Sequence, residues 1–249
     1  MEEFDPKLFV DTYCSPRFDQ GVFEDTALIP FKLLTTELSK GHIKGETLIC
    51  MPPGTIIILL IPLAECFNDI TVLEFNDASI KELEKWTTTH DDAYDWSHTF
   101  NTIADFEGKG EDWKKREENL KKSIKKIRKC DLTKENLTDP VTLPKVDCLY
   151  IGSTLGMMCK SRDEFSTSMK KISRWLKPGG HLILYVLLNG EFYTVGEHQF
   201  HYLTLDEEFL KKILKDMGYK IETMELIENK SKHEAVSYDH MAFITAVMQ

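Results

Sequence analysis

The chain has 249 residues, a length that suits one large α/β domain or at most two small ones. Its 42% hydrophobic residues are enough to build a core, and its 29% charged residues suit an ordinary aqueous surface. A formal net charge of −10 sets the chain against a nucleic-acid backbone, and the longest apolar run, Thr55 to Phe67, is too short and too broken by Pro62 to span a membrane.

The N-terminal MEEFDPK has neither a basic n-region nor an apolar h-region, so no signal peptide is expected. Asp5-Pro6 reads as an N-cap and a first-turn proline opening a short helix through Tyr13. A second helix is expected after Asp25, ending near Gly41, with Pro30 in its first turns. ETLICM (46–51) reads as a buried strand, and Ile56 to Phe67 as a buried helix kinked by Pro62. ITVLEF (70–75) is the next strand. The helix ASIKELEKW follows it, with Asn76 and Asp77 offering caps and Ser79 and Glu82 at capping-box spacing.

A charged helical region is expected from His98 to Ile127, with Glu107 to Glu118 as an exposed insertion. IRKCDL (127–132) reads as a third strand and VDCLYIG (146–152) as a fourth. Ser161 caps a helix through Leu176, and KPGG (177–180) is a stop and turn before the strand HLILYVLL (181–188). Thr204 and Glu207 form a second capping box, for a helix that stops at Gly218. YKIETMELIE and HMAFITAVM close the chain as a hairpin-like pair of strands. Alternation of this kind implies a mostly parallel sheet with helices on both faces.

The six cysteines form no CxxC pair and no zinc spacing with histidine, and are expected as reduced, buried thiols of a cytoplasmic protein. No metal is expected, because His198 and His201 lack a third ligand. The basic stretch WKKREENLKKSIKKIRK reads as a solvated amphipathic helix, with Leu120, Ile124 and Ile127 near helical spacing.

Six segments in fixed order then carry a resemblance: ELEKW (82–86), YDWS (94–97), KCDLT (129–133), LPKVDC (143–148), LKPGGHL (176–182) and YTVGEHQF (193–200). With their spacing, from about Phe4 to near the C-terminus, they resemble the nicotinamide, indolethylamine and phenylethanolamine N-methyltransferase family. The resemblance implies a Rossmann-like class I S-adenosylmethionine methyltransferase. It carries a seven-stranded, mostly parallel sheet in a single domain over 1–249, with an N-terminal helical lid over 1–45. It further implies S-adenosylmethionine as cofactor and a small amine or pyridine nitrogen as methyl acceptor, with no nucleic acid or membrane partner. The chain is expected to act as a monomer.

Such a site needs three holds on the cofactor. A glycine-rich loop after the first strand approaches the methionine part. An acidic residue ending the second strand accepts both ribose hydroxyls, and a polar side chain after the third strand takes the adenine amino group. By the resemblance, Glu74 takes the ribose, with Ser79 replacing a ribose-binding asparagine. Asp131 and Leu132 take the adenine, while Gly54, Thr55 and Tyr13 lie near the methionine part. Phe9, Val186, Tyr193 and Tyr202 are expected at the acceptor, with Val186 standing for an aspartate and Tyr202 for a serine. No catalytic side chain is assigned, since in-line methyl transfer is served by positioning and exclusion of water.

The loop departs from the family. Where the pattern is close to LIDIGSGPT this chain has LICMPPGTI, so Cys50 replaces the acid, Pro52 the first glycine and Pro53 the serine. Cys14 and Ile58 replace tyrosines, and Gly152 a threonine. Proline has no N–H, and each lost N–H contact to a charged group costs about 1.5–3 kcal/mol. Two such losses weaken binding about a hundredfold to ten-thousandfold. The expectation taken forward is an N-methyltransferase. Its alternative is an inactive form that keeps the fold for binding, storage or scaffolding. A third reading, the same fold on another cofactor, rests on the apolar run Ile56, Ile57 and Ile58.

Overall fold

The computed structural model describes residues 4–89, 91–108 and 113–249. Its strands are β1 (Thr47–Met51), β2 (Asp69–Glu74), β3 (Ile124–Lys129), β4 (Val146–Gly152), β5 (Leu176–Leu188), β6 (Phe192–Val195), β7 (His198–His201), β8 (Tyr219–Glu228) and β9 (His240–Met248). Seven of them make one sheet in the order β3-β2-β1-β4-β5-β9-β8, and β6 and β7 form a separate small hairpin. The pairs from β3 through β5 are parallel, while β9 runs antiparallel to both β5 and β8. The chain leaves β1 toward β2 on one side and returns to β4 on the other. Between β1 and β4 lies the switch point at whose strand ends α/β proteins place their ligands.

β1 and β4 are central because their residues are apolar on both faces: Leu48 to Met51 and Cys148 to Gly152 are all buried. Alternation along the strands sorts the core into two layers. Ile49, Met51, Leu149, Ile151, Leu184 and Val186 pack on one face, and Leu48, Cys50, Cys148, Tyr150, Ile183 and Tyr185 on the other. The second layer lies under the N-terminal helices, and the first under α8 (Thr154–Met158), α9 (Arg162–Ser173) and α10 (Glu207–Asp216).

The N-terminal segment begins as expected. Asp5 caps α1 (Pro6–Cys14), its carboxylate accepting from the N–H of Lys7 and Leu8. The next helix starts earlier than expected, capped by Asp19 rather than after Asp25. It runs as α2 (Gln20–Phe23), a π-helical turn (Glu24–Leu28) and α3 (Ile29–Ser39). The π turn adds a residue ahead of Pro30, whose missing N–H then falls at the start of α3. Asp25 is buried and accepts from the Ser231 N–H.

Several boundaries are corrected. The apolar run after β1 is helical only over α4 (Leu60–Ala64), where Pro62 stands in the first turn and its missing N–H has no intrahelical partner to lose. Of the two expected caps it is Asn76 that caps α5 (Asp77–Thr87), accepting from the Ala78 N–H, and Ser79 lies inside the helix, fully buried. Asp206, not Thr204, caps α10 through the Phe209 N–H. In both cases the side chain immediately before the helix reaches the free N–H groups first.

The charged region divides into α6 (Ser97–Glu107) and α7 (Trp113–Ser123), so the expected insertion falls partly on residues 109–112, outside the described ones. The helical spacing of Ile124 and Ile127 is overruled, since both lie in β3 and face β2 from the sheet edge. Four lysine or arginine side chains along β3 protect that edge from further pairing. KPGG is no stop. Helix α9 ends at Ser173, and β5 runs through the motif with a register shift between Val146 and Cys148 of β4, Gly179 taking φ +74°. All six cysteines are free, five of them buried.

Candidate functional site

The loop after β1 shows what two prolines do. Gly54 turns left-handed at φ +57°, and a Cβ placed there would stand 3.0 Å from Phe9 Cδ1 and 3.4 Å from Phe4 Cζ. Across the loop, a Cβ on Gly152 would stand 2.9 Å from Pro53 Cδ and 2.8 Å from the Tyr150 hydroxyl. The loop is therefore sealed between the rings of α1 and the end of β4. Thr55 to Ile58 are all buried, and Thr55 Oγ1 reaches only the Pro6 carbonyl, at 3.5 Å.

Phe9 belongs to an aromatic ladder joining α1 to the hairpin. Its centroid is 5.3 Å from Phe4, 4.9 Å from Tyr13 and 6.1 Å from Tyr193, which stacks on Phe200 at 5.3 Å. Tyr13 fastens the ladder, since its hydroxyl accepts from the Thr194 N–H (3.0 Å) and lies 2.9 Å from the Thr194 and Ala235 carbonyls. Burial pushes the Tyr13 phenol up to about 12 against the lowering pull of Thr194. Tyr13 thus serves the closure of the N-terminal helix on β6 and has no hydrogen-bonding capacity to spare for a ligand.

Glu74 ends β2 deep in the protein, 3% exposed. One carboxylate oxygen accepts from the Phe75 N–H at 3.0 Å, and the other, Oε1, is buried without a partner. Burial pushes this carboxyl up to about 8, against the lowering effect of the Phe75 and Asn76 N–H groups. The Ser79 hydroxyl, on α5 just beyond β2, is also buried without a partner, and so is the Tyr150 hydroxyl beneath the loop. Tyr150 is the cross-strand neighbour of Cys50, where the resembled family carries an acid, so the phenol faces a thiol instead of a carboxylate. Asp131 is placed differently. Its carboxylate closes a turn by accepting from the Thr133 N–H (2.9 Å) and hydroxyl (2.6 Å), and those bonds hold it below the usual carboxylate range. Leu132 beside it is half-buried, and its carbonyl accepts from Lys171 Nζ.

On the acceptor side a cavity of about 80 Å³ opens between the aromatic ladder and the sheet. Phe9, Tyr13, Tyr193 and Tyr202 border it together with Pro53 and Ile56. Val186 does not, because it faces the opposite layer with Leu184, and the cavity side of β5 is given by Leu187. The sequence reading also missed Thr26, Ser153, Met157, Val236 and Met241, which complete the wall. For Leu187 the strand alternation already held the signal. For Ser153 only the backbone does, since it takes φ +58° as a non-glycine residue. Among the described residues no group of three or more His, Cys, Asp or Glu is arranged to hold a metal ion, and none of their helices is long and apolar enough to cross a membrane.

S-adenosylmethionine, the group the resemblance implies, meets these residues unevenly. Glu74 and Ser79 each leave one buried polar atom without a partner, at and just beyond the end of β2. The Asp131 carboxylate commits one oxygen, Oδ1, to its own turn, and the loop for the methionine end is packed under Phe9 and Phe4. The departure from what the cofactor needs lies at the loop.

Comparison with known proteins bears on descent. The model of the NNMT/PNMT/TEMT family matches residues 1–248. The chain is 32% identical over 226 residues to indolethylamine N-methyltransferase of Oryctolagus cuniculus, covering 90% of this chain and 85% of the relative. It is 32% identical over 185 residues to nicotinamide N-methyltransferase of Homo sapiens, covering 74% and 70%. Among solved structures, magnesium protoporphyrin IX methyltransferase from Synechocystis PCC 6803 with bound SAM superposes over 100% of both chains with a TM-score of 0.56 at 14% identity, a likeness of fold. The chain is thus a Rossmann-like class I methyltransferase in architecture and belongs to the NNMT/PNMT/TEMT family of S-adenosylmethionine-dependent N-methyltransferases.

Proposed function

We propose that this chain is a catalytically silent member of its family, keeping the fold for a binding, storage or scaffold role. One observation carries the reading: the loop that should cradle the methionine part is occupied by the protein itself, with Gly54 closed under Phe9 and Phe4 and Pro53 against Gly152. Two imino acids at Pro52 and Pro53 remove N–H donors from the same place.

Calorimetric titration with S-adenosylmethionine and S-adenosylhomocysteine to millimolar concentration tests this. It is paired with methyl incorporation into an indolethylamine, a phenylethanolamine and nicotinamide. No heat and no incorporation are expected.

A second reading has its own observation. Glu74 Oε1 and Ser79 Oγ are buried without partners, and ribose hydroxyls would relieve both. On that reading the chain methylates a small amine or pyridine-type nitrogen after the α1 rings move off the loop. Saturable cofactor binding, or any incorporated methyl, establishes it and ends the silent one.

A further inference from the structure

The second volume that a transfer reaction needs, the acceptor's, is also filled from within. Tyr202 follows β7 directly, is 1% exposed, and lies in a slot that only glycines permit. A Cβ on Gly156 would stand 2.2 Å from Tyr202 Cζ and 2.4 Å from its hydroxyl, and one on Gly190 would stand 3.1 Å from Cδ1. Real Cβ atoms do not come within 3.0 Å of such neighbours, so the ring rests against bare backbone at Gly156. Its hydroxyl accepts from the Leu187 N–H at 3.1 Å. Backbone bonds hold the ring's own residue in place, Tyr202 N–H to the Glu191 carbonyl and Leu203 N–H to the Gly156 carbonyl, both 2.8 Å. Two glycine walls and an aimed N–H donor make a receptor for a phenol, and the phenol is supplied by the chain.

We infer that Tyr202 is a built-in occupant of the acceptor cavity, and that its removal uncovers a site for small, neutral, flat aromatic ligands bearing a hydrogen-bond-accepting oxygen. The inference rests on the silent reading, since an occupied acceptor volume is what such a protein can tolerate. The size of the remaining space supports it. The residual cavity, about 80 Å³, is near half of the roughly 150 Å³ that holds a benzene ring in an apolar protein interior. Returning the ring's own volume brings the space to that scale. The chemistry of the wall sets the class. Phe9, Ile56, Met157, Leu187 and Met241 border the cavity and no carboxylate does. An ammonium ion inside would be left unpaired, whereas a neutral oxygen finds the Leu187 N–H. Protonated arylalkylamines are therefore disfavoured in the opened site.

The test compares the full-length protein with Tyr202→Ala, using p-cresol as the neutral probe and tyramine as its cationic counterpart, with no cofactor present. Tyr202→Ala is expected to melt below wild type and to recover in millimolar p-cresol. Its p-cresol affinity should be about tenfold or more above that of wild type and above its own affinity for tyramine. Wild type and Tyr202→Phe, which keeps the ring, are expected to show no shift. Should Tyr202→Ala fail to fold alone, its refolding yield with and without p-cresol becomes the readout, and Tyr202→Leu supplies a milder opening for calorimetry. Absence of any p-cresol effect on both variants overturns the inference, as does equal binding of p-cresol by wild type. Methyl incorporation by wild type is a separate result: it removes the silent reading and leaves the p-cresol comparison to decide the occupancy of the slot.

Discussion

The two ends of the expected cofactor site have diverged in opposite ways. At the loop end, Pro52, Pro53 and Gly54 lie under Phe9 and Phe4, so apolar surface meets apolar surface. At the β2 end, Glu74 Oε1 and Ser79 Oγ remain buried, polar and without partners. A loop can be closed by a few substitutions, because rings from a neighbouring helix supply the packing. A carboxylate at the end of a central strand is harder to replace, because its surroundings have grown around it and its second oxygen still bonds the Phe75 N–H. The comparison teaches that the backbone-lined end of a site can be closed by packing alone, while the end lined by side chains stays polar.

The largest effect expected from breaking this contrast is at Glu74. Its carboxyl is raised from the ordinary 4.5 to about 8, foremost by burial. Below the unfolded value both states are protonated and ionisation costs nothing. As pH rises toward 8 the unfolded chain releases its proton while the folded chain retains it, so stability falls across that window. Glu74→Gln removes the titration. The variant is expected to gain about 2–5 kcal/mol over wild type at pH 8.5 and little at pH 4.5, read by urea denaturation at both. Equal pH slopes in the two proteins would show that Glu74 ionises freely.

The loop end should respond next. Pro52→Gly with Pro53→Ser restores two donors, and S-adenosylmethionine affinity is expected to rise about a hundredfold over wild type by calorimetry. The same change should cost about 1 kcal/mol of stability through a freer unfolded chain. If affinity does not move, the Phe9 ring rather than the missing N–H groups closes the loop. Phe9→Ala in the same background then separates the two.

How far the sequence foretold this follows the same division. β4, β8 and β9 were legible to the residue, because each is a short segment rich in β-branched, aromatic and other apolar residues, bounded by polar turns. The family resemblance placed Glu74 and the altered loop side by side on the right strand ends. What was not legible depends on contacts far apart in sequence. Ile124 is helical by spacing and a strand by its partnership with Ile70. Asp131 matches a ligand position and also closes a turn, its Oδ1 accepting twice from Thr133. Val186 aligns with an acceptor residue yet faces away from the cavity, which takes Leu187 instead. The packing of Tyr202 against Gly156 joins positions 46 residues apart, from 156 to 202, and no local pattern announces it.

The smallest effects test the orphan hydroxyls, and their sign is opposite to that of a lost cap. Were Ser79 the N-cap that its spacing to Glu82 implies, Ser79→Ala would remove a capping bond and destabilise by about 1 kcal/mol. Asn76 holds that role, and the Ser79 hydroxyl sits inside the helix, buried and unpartnered. Alanine there removes a desolvated group and adds helix propensity, so a gain of about 0.5–1.5 kcal/mol is expected in urea denaturation. Tyr150→Phe applies the same logic beneath the loop, where the lost hydroxyl has no partner in the neighbouring Cys50, and should be neutral or slightly stabilising. A clear loss of stability in either variant would mean that the hydroxyl has found a partner in solution. For Ser79, the natural candidate is water lodged beside Glu74, which would make the β2 end of the site an open, hydrated pocket rather than a sealed relic.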